Sequence, residues 1–272
     1  MMKRWRFQIR AFLMRLGLWG PIERLRLRLR FGLGIAHEPE FEIFRRFDGT
    51  DQLFVDVGAN LGQSALSFRL ANRSAPILSF EPNPEMQSAL EVVQDMLGDS
   101  FQFRMVGLGA RTEVKQLFFP IVKGVPFLQC ATFVRDCLVN NPGIQQLFFE
   151  WTDTREFDIV EQPLPLLRFD ELALNPGFIK IDAEGGEADV IAGMTETIAR
   201  CRPLILAEGF GAEAILRSLG YVTLVYQADG SYLRPMQTGD SACNVFYAPV
   251  EKLLQFEEIG VIRSGTQASR AA

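Results

Sequence analysis

Apolar residues along this chain fall into two kinds of segment that take turns. Short unbroken apolar runs, such as LFVDV from residue 53, PILSF from 76, FIKI from 178, LILA from 204 and YVTLV from 221, read as buried strands. Between them lie longer stretches in which apolar positions recur every three or four residues, the mark of helices with one buried face. The pattern predicts strands at 52–57, 76–81, 101–107, 177–182, 203–208, 221–227 and 243–249. It predicts helices at about 38–47, 62–72, 84–97, 186–199 and 211–219. Such alternation specifies an α/β fold, doubly wound, with a seven-stranded and mostly parallel sheet.

Two stretches break the alternation. The step from 107 to 177 is too long for one crossover and holds LFFPIV, ATFV, an Asn141-Pro142-Gly143 break and aromatic-rich LFFEW at 147–151. Insertions at the carboxyl ends of strands build substrate walls, so about 110–170 is expected to recognise an acceptor. Ahead of the core, Trp5, Ile9, Phe12, Leu13 and Leu16 form one helical stripe, with Lys3, Arg6 and Arg10 on one side and Arg4 and Arg15 on the other. Gly17, Gly20 and Pro21 end that helix, and RLRLRLRF at 24–31 then alternates as a strand or amphipathic ribbon does. The domain plan is a basic amphipathic arm at 1–34, a main domain at 35–250 and a tail at 251–272, whose RSGTQASRAA end lacks periodicity and is expected to be mobile.

Charge sharpens the reading of the arm. The net charge of −5 conceals nine Lys/Arg against one acid, Glu23, in residues 1–34, which leaves 19 basic and 32 acidic residues for the rest. An acidic body disfavours nucleic acid as a partner. A basic amphipathic helix suits peripheral contact with an anionic membrane, while Arg15 cuts the apolar run too short to span one. No small-residue cleavage site follows, so the segment is a poor signal peptide. The same stripe would also pack on the main domain or on a second subunit, making a homo-oligomer the alternative. Cys130, Cys137, Cys201 and Cys243 show neither C-x-x-C pairs nor metal spacing, which predicts reduced, mostly buried thiols in a cytoplasmic protein, peripheral at the inner face of the membrane if the arm docks there. The single histidine, His37, excludes a histidine-cluster metal site, and its place ahead of the core predicts a surface or packing role.

The most informative segment is LFVDVGANLG at 53–62. Glycines at the carboxyl end of a strand let a ligand approach the backbone, because no Cβ stands in the way. The helix starting at Gln63 adds free N–H groups. Asp56, in the last turn of the strand, suits a positively charged amine or sulfonium better than a phosphate. A nicotinamide-binding loop requires G-x-G-x-x-G, and here Asn60 holds the second glycine position. Nineteen residues beyond Gly62, PILSFEPNP carries a second strand to Glu81, placed to accept both ribose hydroxyls of a nucleoside. Together the motifs predict a pocket for S-adenosylmethionine lined by Asp56, Gly58, Ala59, Asn60, Gly62, Glu81, Pro82 and Asn83. The plainer alternative is a strand–turn–helix without ligand, its glutamate only capping the next helix.

A third motif adds acids. Phe178–Asp182 reads as a buried strand, and Asp182-Ala183-Glu184-Gly185-Gly186-Glu187 as the loop into the next helix; Glu208 ends the strand after that. In a doubly wound sheet these loops face the glycine loop. Without a histidine in the core, Asp182, Glu184, Glu187 and Glu208 are the available bases, with Lys180 pointing at them or pairing with one. Asp182 is expected at the donor's amine or methyl end, and Glu184 or Glu208 at the acceptor. For Glu184 and Glu187 the competing role is stabilising the first turn of a helix. Several carboxylates could instead hold Mg²⁺ or Ca²⁺, but the spacing is unlike a calcium loop, and no metal is assigned.

LFVDVGANLG, LSFEPNP, LLRFDEL and above all FIKIDAEGGEADVIAGM resemble the FkbM family of S-adenosylmethionine-dependent methyltransferases over roughly residues 50–250. The resemblance implies a Rossmann-like class I methyltransferase fold whose last strand runs antiparallel. It also implies methylation of a hydroxyl on a glycan, glycolipid or secondary metabolite, and an adenine edge near Gly107 and Leu108. Where relatives commonly carry Gly-Ala, this chain has Gly185-Gly186. The competing classes are a non-catalytic nucleoside-binding module docked to a glycan assembly system, and a nicotinamide-dependent oxidoreductase, which Asn60 disfavours.

Overall fold

Runs rich in Phe, Val, Ile and Leu become the central strands, since such residues fill a pleated surface buried on both sides. A computed structural model describes residues 2–127, 130–133 and 135–263. The chain forms two compact units: Arg30–Thr112 with Leu166–Ala272, and Met1–Leu29 with Glu113–Pro165. In chain order the strands are β1 (Leu53–Val57), β2 (Ile77–Phe80), β3 (Phe101–Arg104), β4 (Gly107–Leu108), β5 (Glu113–Val122) and β6 (Val125–Pro126). They continue with β7 (Asp158–Leu167), β8 (Pro176–Ile181), β9 (Leu204–Glu208), β10 (Tyr221–Gln227), β11 (Tyr232–Pro235) and β12 (Asn244–Pro249).

The larger unit is built on a sheet of eight strands in the order β11-β10-β12-β9-β8-β1-β2-β3. Strands β3, β2, β1, β8 and β9 are parallel, and β12 runs antiparallel between β9 and β10, as expected for the last strand. The count of seven is corrected to eight by β11, which pairs antiparallel with β10 at the sheet edge. The strand predicted over 101–107 stops at Arg104; Gly107 and Leu108 leave this sheet and pair instead with Leu166 and Leu167. The chain winds outward from β1 to β3, then returns to β8 on the other side of β1. In doubly wound sheets such a reversal marks where ligands bind, beyond the carboxyl ends of the strands, here β1 and β8.

Two apolar layers hold the sheet. On one face, Phe54 of β1 stacks on Phe68 with centroids 4.0 Å apart, and Phe44 contacts Phe54, Phe68, Phe178 and Phe246. Phe44 belongs to Pro39–Phe47, predicted as a helix and found as a 3₁₀ helix. On the other face, Val55, Val57, Ile179 and Ile181 pack with Val190, Ile191, Met194 and Ile198. The helix predicted over 186–199 divides into Glu187–Ala192 and Thr195–Cys201. The division has a steric cause: a Cβ on Gly193 would stand 2.0 Å from the Gly109 carbonyl oxygen, and the Gly193 carbonyl accepts from Asp170 N–H at 3.0 Å. Residues 251–263 are more than a tail, since Leu253–Glu258 is helical and buries Phe256 against Phe47. Residues 264–272, with the expectation of a mobile end, lie outside the described residues.

The smaller unit gathers α1 (Met2–Arg15), the start of α2 (Trp19–Gly32), β5, β6, most of β7, Arg135–Val139 and Pro142–Thr152. Its core joins Phe7 of α1 to Val122, Val125, Phe127 and Phe148. At the rim, Lys3 meets Glu150 at 3.0 Å and Arg4 meets Asp153 at 2.8 Å, exposed pairs that set orientation more than stability. The strand or ribbon expected at 24–31 is corrected to part of α2. Leu and Arg are strong helix formers, and an isolated ribbon would leave its backbone groups unpaired. No helix among the described residues is long and apolar enough to cross a membrane. The thiols expected to be mostly buried are not: Cys137 and Cys243 are exposed, and Cys130 and Cys201 are half-buried.

Candidate active site

Every residue considered in this section lies in the larger unit. Beyond Val57 the backbone turns through the left-handed region at Gly58 (φ 78°), Asn60 (φ 50°) and Gly62 (φ 84°). A Cβ on Gly58 would lie 1.8 Å from the Asp182 carbonyl oxygen, so only glycine allows the first loop to touch the end of β8. The Gly58 and Ala59 N–H groups donate to the Phe80 carbonyl at 2.9 and 3.1 Å, and Asp182 N–H donates to the Val57 carbonyl at 3.0 Å. Glu81 ties this loop to the next: Oε2 accepts from Asn60 N–H at 2.7 Å and Oε1 from Asn83 N–H at 2.8 Å. Burial pushes the Glu81 pKa up, partly opposed by those two hydrogen bonds. Each oxygen keeps a second lone pair, which fits the expected ribose contact.

Asp56 is fully buried in β1, in register with Ser79 of β2 and Lys180 of β8. Its Oδ2 accepts from Ser79 Oγ at 3.1 Å, while Oδ1 has no hydrogen-bond partner in the protein. Burial raises its pKa to about 6, against the opposing pull of Lys180 and Ser79. An orphaned buried acceptor of this kind fits a ligand that brings an N–H donor or a cation. Lys180, only 3% exposed, extends Nζ to Asp182 Oδ2 at 3.0 Å. Burial works against its charge, yet Asp182, Asp56 and Glu38 raise its pKa overall.

The acids beyond β8 and β9 form a graded set. Burial opposes the charge on Asp182, but Lys180 and the hydrogen bonds from Glu208 and Lys180 hold its carboxyl below the usual range. Glu208, at the solvent edge, is pushed up to about 8 by its hydrogen bond to Asp182, by partial burial and by the charges of Asp182 and Glu184. The pair titrates together, with the charged form favoured at Asp182 and the protonated form at Glu208. Glu184, exposed and at φ 49°, is raised to about 7 by desolvation of its carboxyl and by Asp182 and Glu187. Glu187 is different in kind: buried, it accepts Ala183 and Gly185 N–H at 3.1 Å each on Oε1 and so fixes the loop.

The predicted residues therefore converge, with Asp56, Gly58, Ala59, Asn60, Gly62, Glu81 and Asn83 around the first loop and Lys180, Asp182, Glu184 and Glu208 beside it. Pro82 packs against Gly107, where a Cβ would stand 3.4 Å from Pro82 Cβ and 2.6 Å from Leu166, and Leu108 is buried next to it. Two neighbours ahead of the predicted main strands also belong here. His37 N–H donates to Ser67 Oγ at 2.7 Å, and its imidazole, exposed as expected, is close enough for its charge to lower Asp182. Glu38 acts on both Asp56 and Lys180, and its buried Oε2 has no partner. The helix expected at about 38–47 begins at Glu38, but no motif marks His37-Glu38 as site residues; the one signal in sequence is two titratable residues directly before a segment rich in Phe. Among the described residues no group of three or more His, Cys, Asp or Glu is arranged to hold a metal ion.

Several solved structures are similar to this chain. An FkbM methyltransferase from Methylobacillus flagellatus KT is 15% identical, with a TM-score of 0.45, over 73% of this chain and 43% of that one. This chain thus spans less than half the length of that protein. A SAM-dependent O-methyltransferase from Thermotoga maritima is 9% identical over 79% of this chain and 66% of that one, with a TM-score of 0.38. An SAH-bound methyltransferase from Podospora anserina is 15% identical over 61% and 49% of the two chains, with a TM-score of 0.29. No curated protein matches the chain. The Methyltransferase FkbM domain matches residues 56–222, from the buried Asp56 of β1 into β10. A match over more than half of its residues places this chain in the FkbM methyltransferase family.

Proposed function

We propose that this methyltransferase takes its methyl group from S-adenosylmethionine and delivers it to a hydroxyl of a glycan, glycolipid or secondary metabolite. The observation that carries the reading is the set of carboxyls poised between about 7 and 8 beside a glycine turn that only glycine can make. Asp56, Gly58, Ala59, Asn60, Gly62, Glu81 and Asn83 would hold the donor, with Pro82, Gly107 and Leu108 at the base. Bound donor supplies an electrophilic methyl group on a positively charged sulfur. A hydroxyl acceptor must lose its proton as it attacks, and a base near the working pH serves best. Glu184 and Glu208 have that basicity and lie at the solvent edge; Asp182, kept ionised by Lys180, orients Glu208 and adds negative charge near the donor.

Two measurements test this. Thermal unfolding with S-adenosylhomocysteine, with NAD and without ligand should show a rise only with the first, since a ligand at a hundred times its Kd adds about 2.7 kcal/mol. A rise with NAD alone would overturn the reading. Labelled donor incubated with cell extract identifies the acceptor, and kcat on that acceptor should rise with pH and level off above about 8 as the poised carboxyls lose their protons. Replacing the base, Glu184→Gln or Glu208→Gln, should remove that limb and lower kcat by about 10²–10⁴-fold. If neither variant changes the profile, neither carboxyl takes the proton. The protein is expected in the cytoplasm.

A further inference from the structure

The smaller unit carries an unusual surface. On α1 and the turn that ends it, Trp5, Ile9, Phe12 and Leu16 are all exposed, Trp5 by 65% and Phe12 by 61%. Leu18, just ahead of α2, and Ile22, Leu25 and Leu29 within it repeat the same spacing of four, three and four residues, with Leu25 and Leu29 each 57% exposed. At 3.6 residues per turn each set makes one straight stripe along its helix. These stripes are not faces awaiting the protein's own core. The opposite side of α1 is already used, with Phe7 buried against Phe127 and Met14 packed in the same cluster, and Leu27 is buried on the opposite side of α2.

Arginines flank both stripes. Arg6 and Arg15 fall about a quarter turn to either side on α1, and Arg26 and Arg28 do so on α2. All four are exposed. The guanidinium of Arg10 lies 5.5 Å from the Trp19 ring, which links the two helices. Apolar stripes edged by guanidinium groups on helices too polar to span a bilayer match the layering of a lipid interface, with acyl chains below and anionic headgroups at the sides. A second copy of this chain fits less well, because two such surfaces would bring rows of arginines against one another.

We infer that α1 and the start of α2 form a docking surface for a membrane containing anionic lipid, with Trp5, Ile9, Phe12, Leu16, Ile22, Leu25 and Leu29 entering the acyl boundary. Docking is peripheral and reversible, with each exposed arginine favouring the anionic surface by about fivefold.

Co-sedimentation of the full chain with phosphatidylcholine vesicles, with and without phosphatidylglycerol, tests the inference. The wild-type protein should bind the anionic vesicles, bind the neutral ones at least about tenfold more weakly, and dissociate as salt rises. The triple variant F12S/L25S/L29S should bind at least about tenfold more weakly at every salt concentration, because the exposed side chains it alters would enter the acyl boundary. The quadruple variant R6Q/R15Q/R26Q/R28Q should lose the salt dependence. Wild-type protein that stays in the supernatant overturns the inference whatever the variants do. So does a triple variant that binds as wild type, or light scattering that shows a lipid-free dimer dissociated by the triple substitution.

Discussion

Gly58→Ala is expected to cost about 3 kcal/mol or more and to abolish measurable binding of S-adenosylhomocysteine. The new methyl group would fall 1.8 Å from a main-chain carbonyl oxygen, that of Asp182, which cannot rotate away as a side chain can. Relief requires β1 and β8 to separate just where Asp182 N–H donates to the Val57 carbonyl at 3.0 Å. The positive φ of 78° adds strain that alanine tolerates poorly. For a unit of this size the loss corresponds to a fall in Tm of about 6–12 °C. Gly62→Ala is the informative companion: its Cβ would meet the Val93 side chain at 2.7 Å, a group able to shift, so a smaller fall is expected. Equal Tm values for Gly58→Ala and the wild type would show that the two loops do not touch as described.

Asp56→Asn should separate stability from binding. The folded protein holds the Asp56 proton up to about pH 6, whereas the unfolded chain releases it near 3.8. Between those values the folded state binds more protons than the unfolded one, so stability falls as pH rises, by about 3 kcal/mol in all. Asparagine does not ionise, and the variant should lack this slope. Relative to wild type it should therefore gain about 3 kcal/mol between pH 4 and pH 7, read from urea denaturation at several pH values. Affinity for the donor should fall at least about tenfold, because the carboxylate that would meet its positive end is gone. A wild type and variant with parallel pH curves would show that folding does not raise the Asp56 pKa.

Much of the larger unit was legible in sequence because its signals are local. An apolar run between a turn and a glycine can hardly be other than a strand, and β1, β2, β8, β9, β10 and β12 lie within one or two residues of expectation. The errors arose where long-range contacts decide. Nothing near Gly193 reveals that another backbone passes 2.0 Å from its missing Cβ, so one predicted helix became two. At 24–31 the two-residue alternation of Leu and Arg pointed to a strand; the four-three-four spacing that begins at Leu18 is a helical signal that the alternation obscured. In the site, residue types and loop positions could be read directly, but their protonation could not. That Asp182 is held down while Glu208 is pushed up depends on the hydrogen bond between the two acids and on Lys180 lying 3.0 Å from Asp182. The burial of Phe41 and Phe44 follows from the period of the 38–47 segment, but that it carries His37 and Glu38 to these acids depends on contacts far apart in the chain.

The clamp made by Glu81 has a kinetic meaning. Its two oxygens fasten Asn60 and Asn83 through main-chain amides without help from a ligand atom. Neither turn then has to freeze during association, so little conformational entropy is lost in the receptor. A nucleoside held here, as proposed, would enter like a key into a cut lock rather than be grasped by a closing hand.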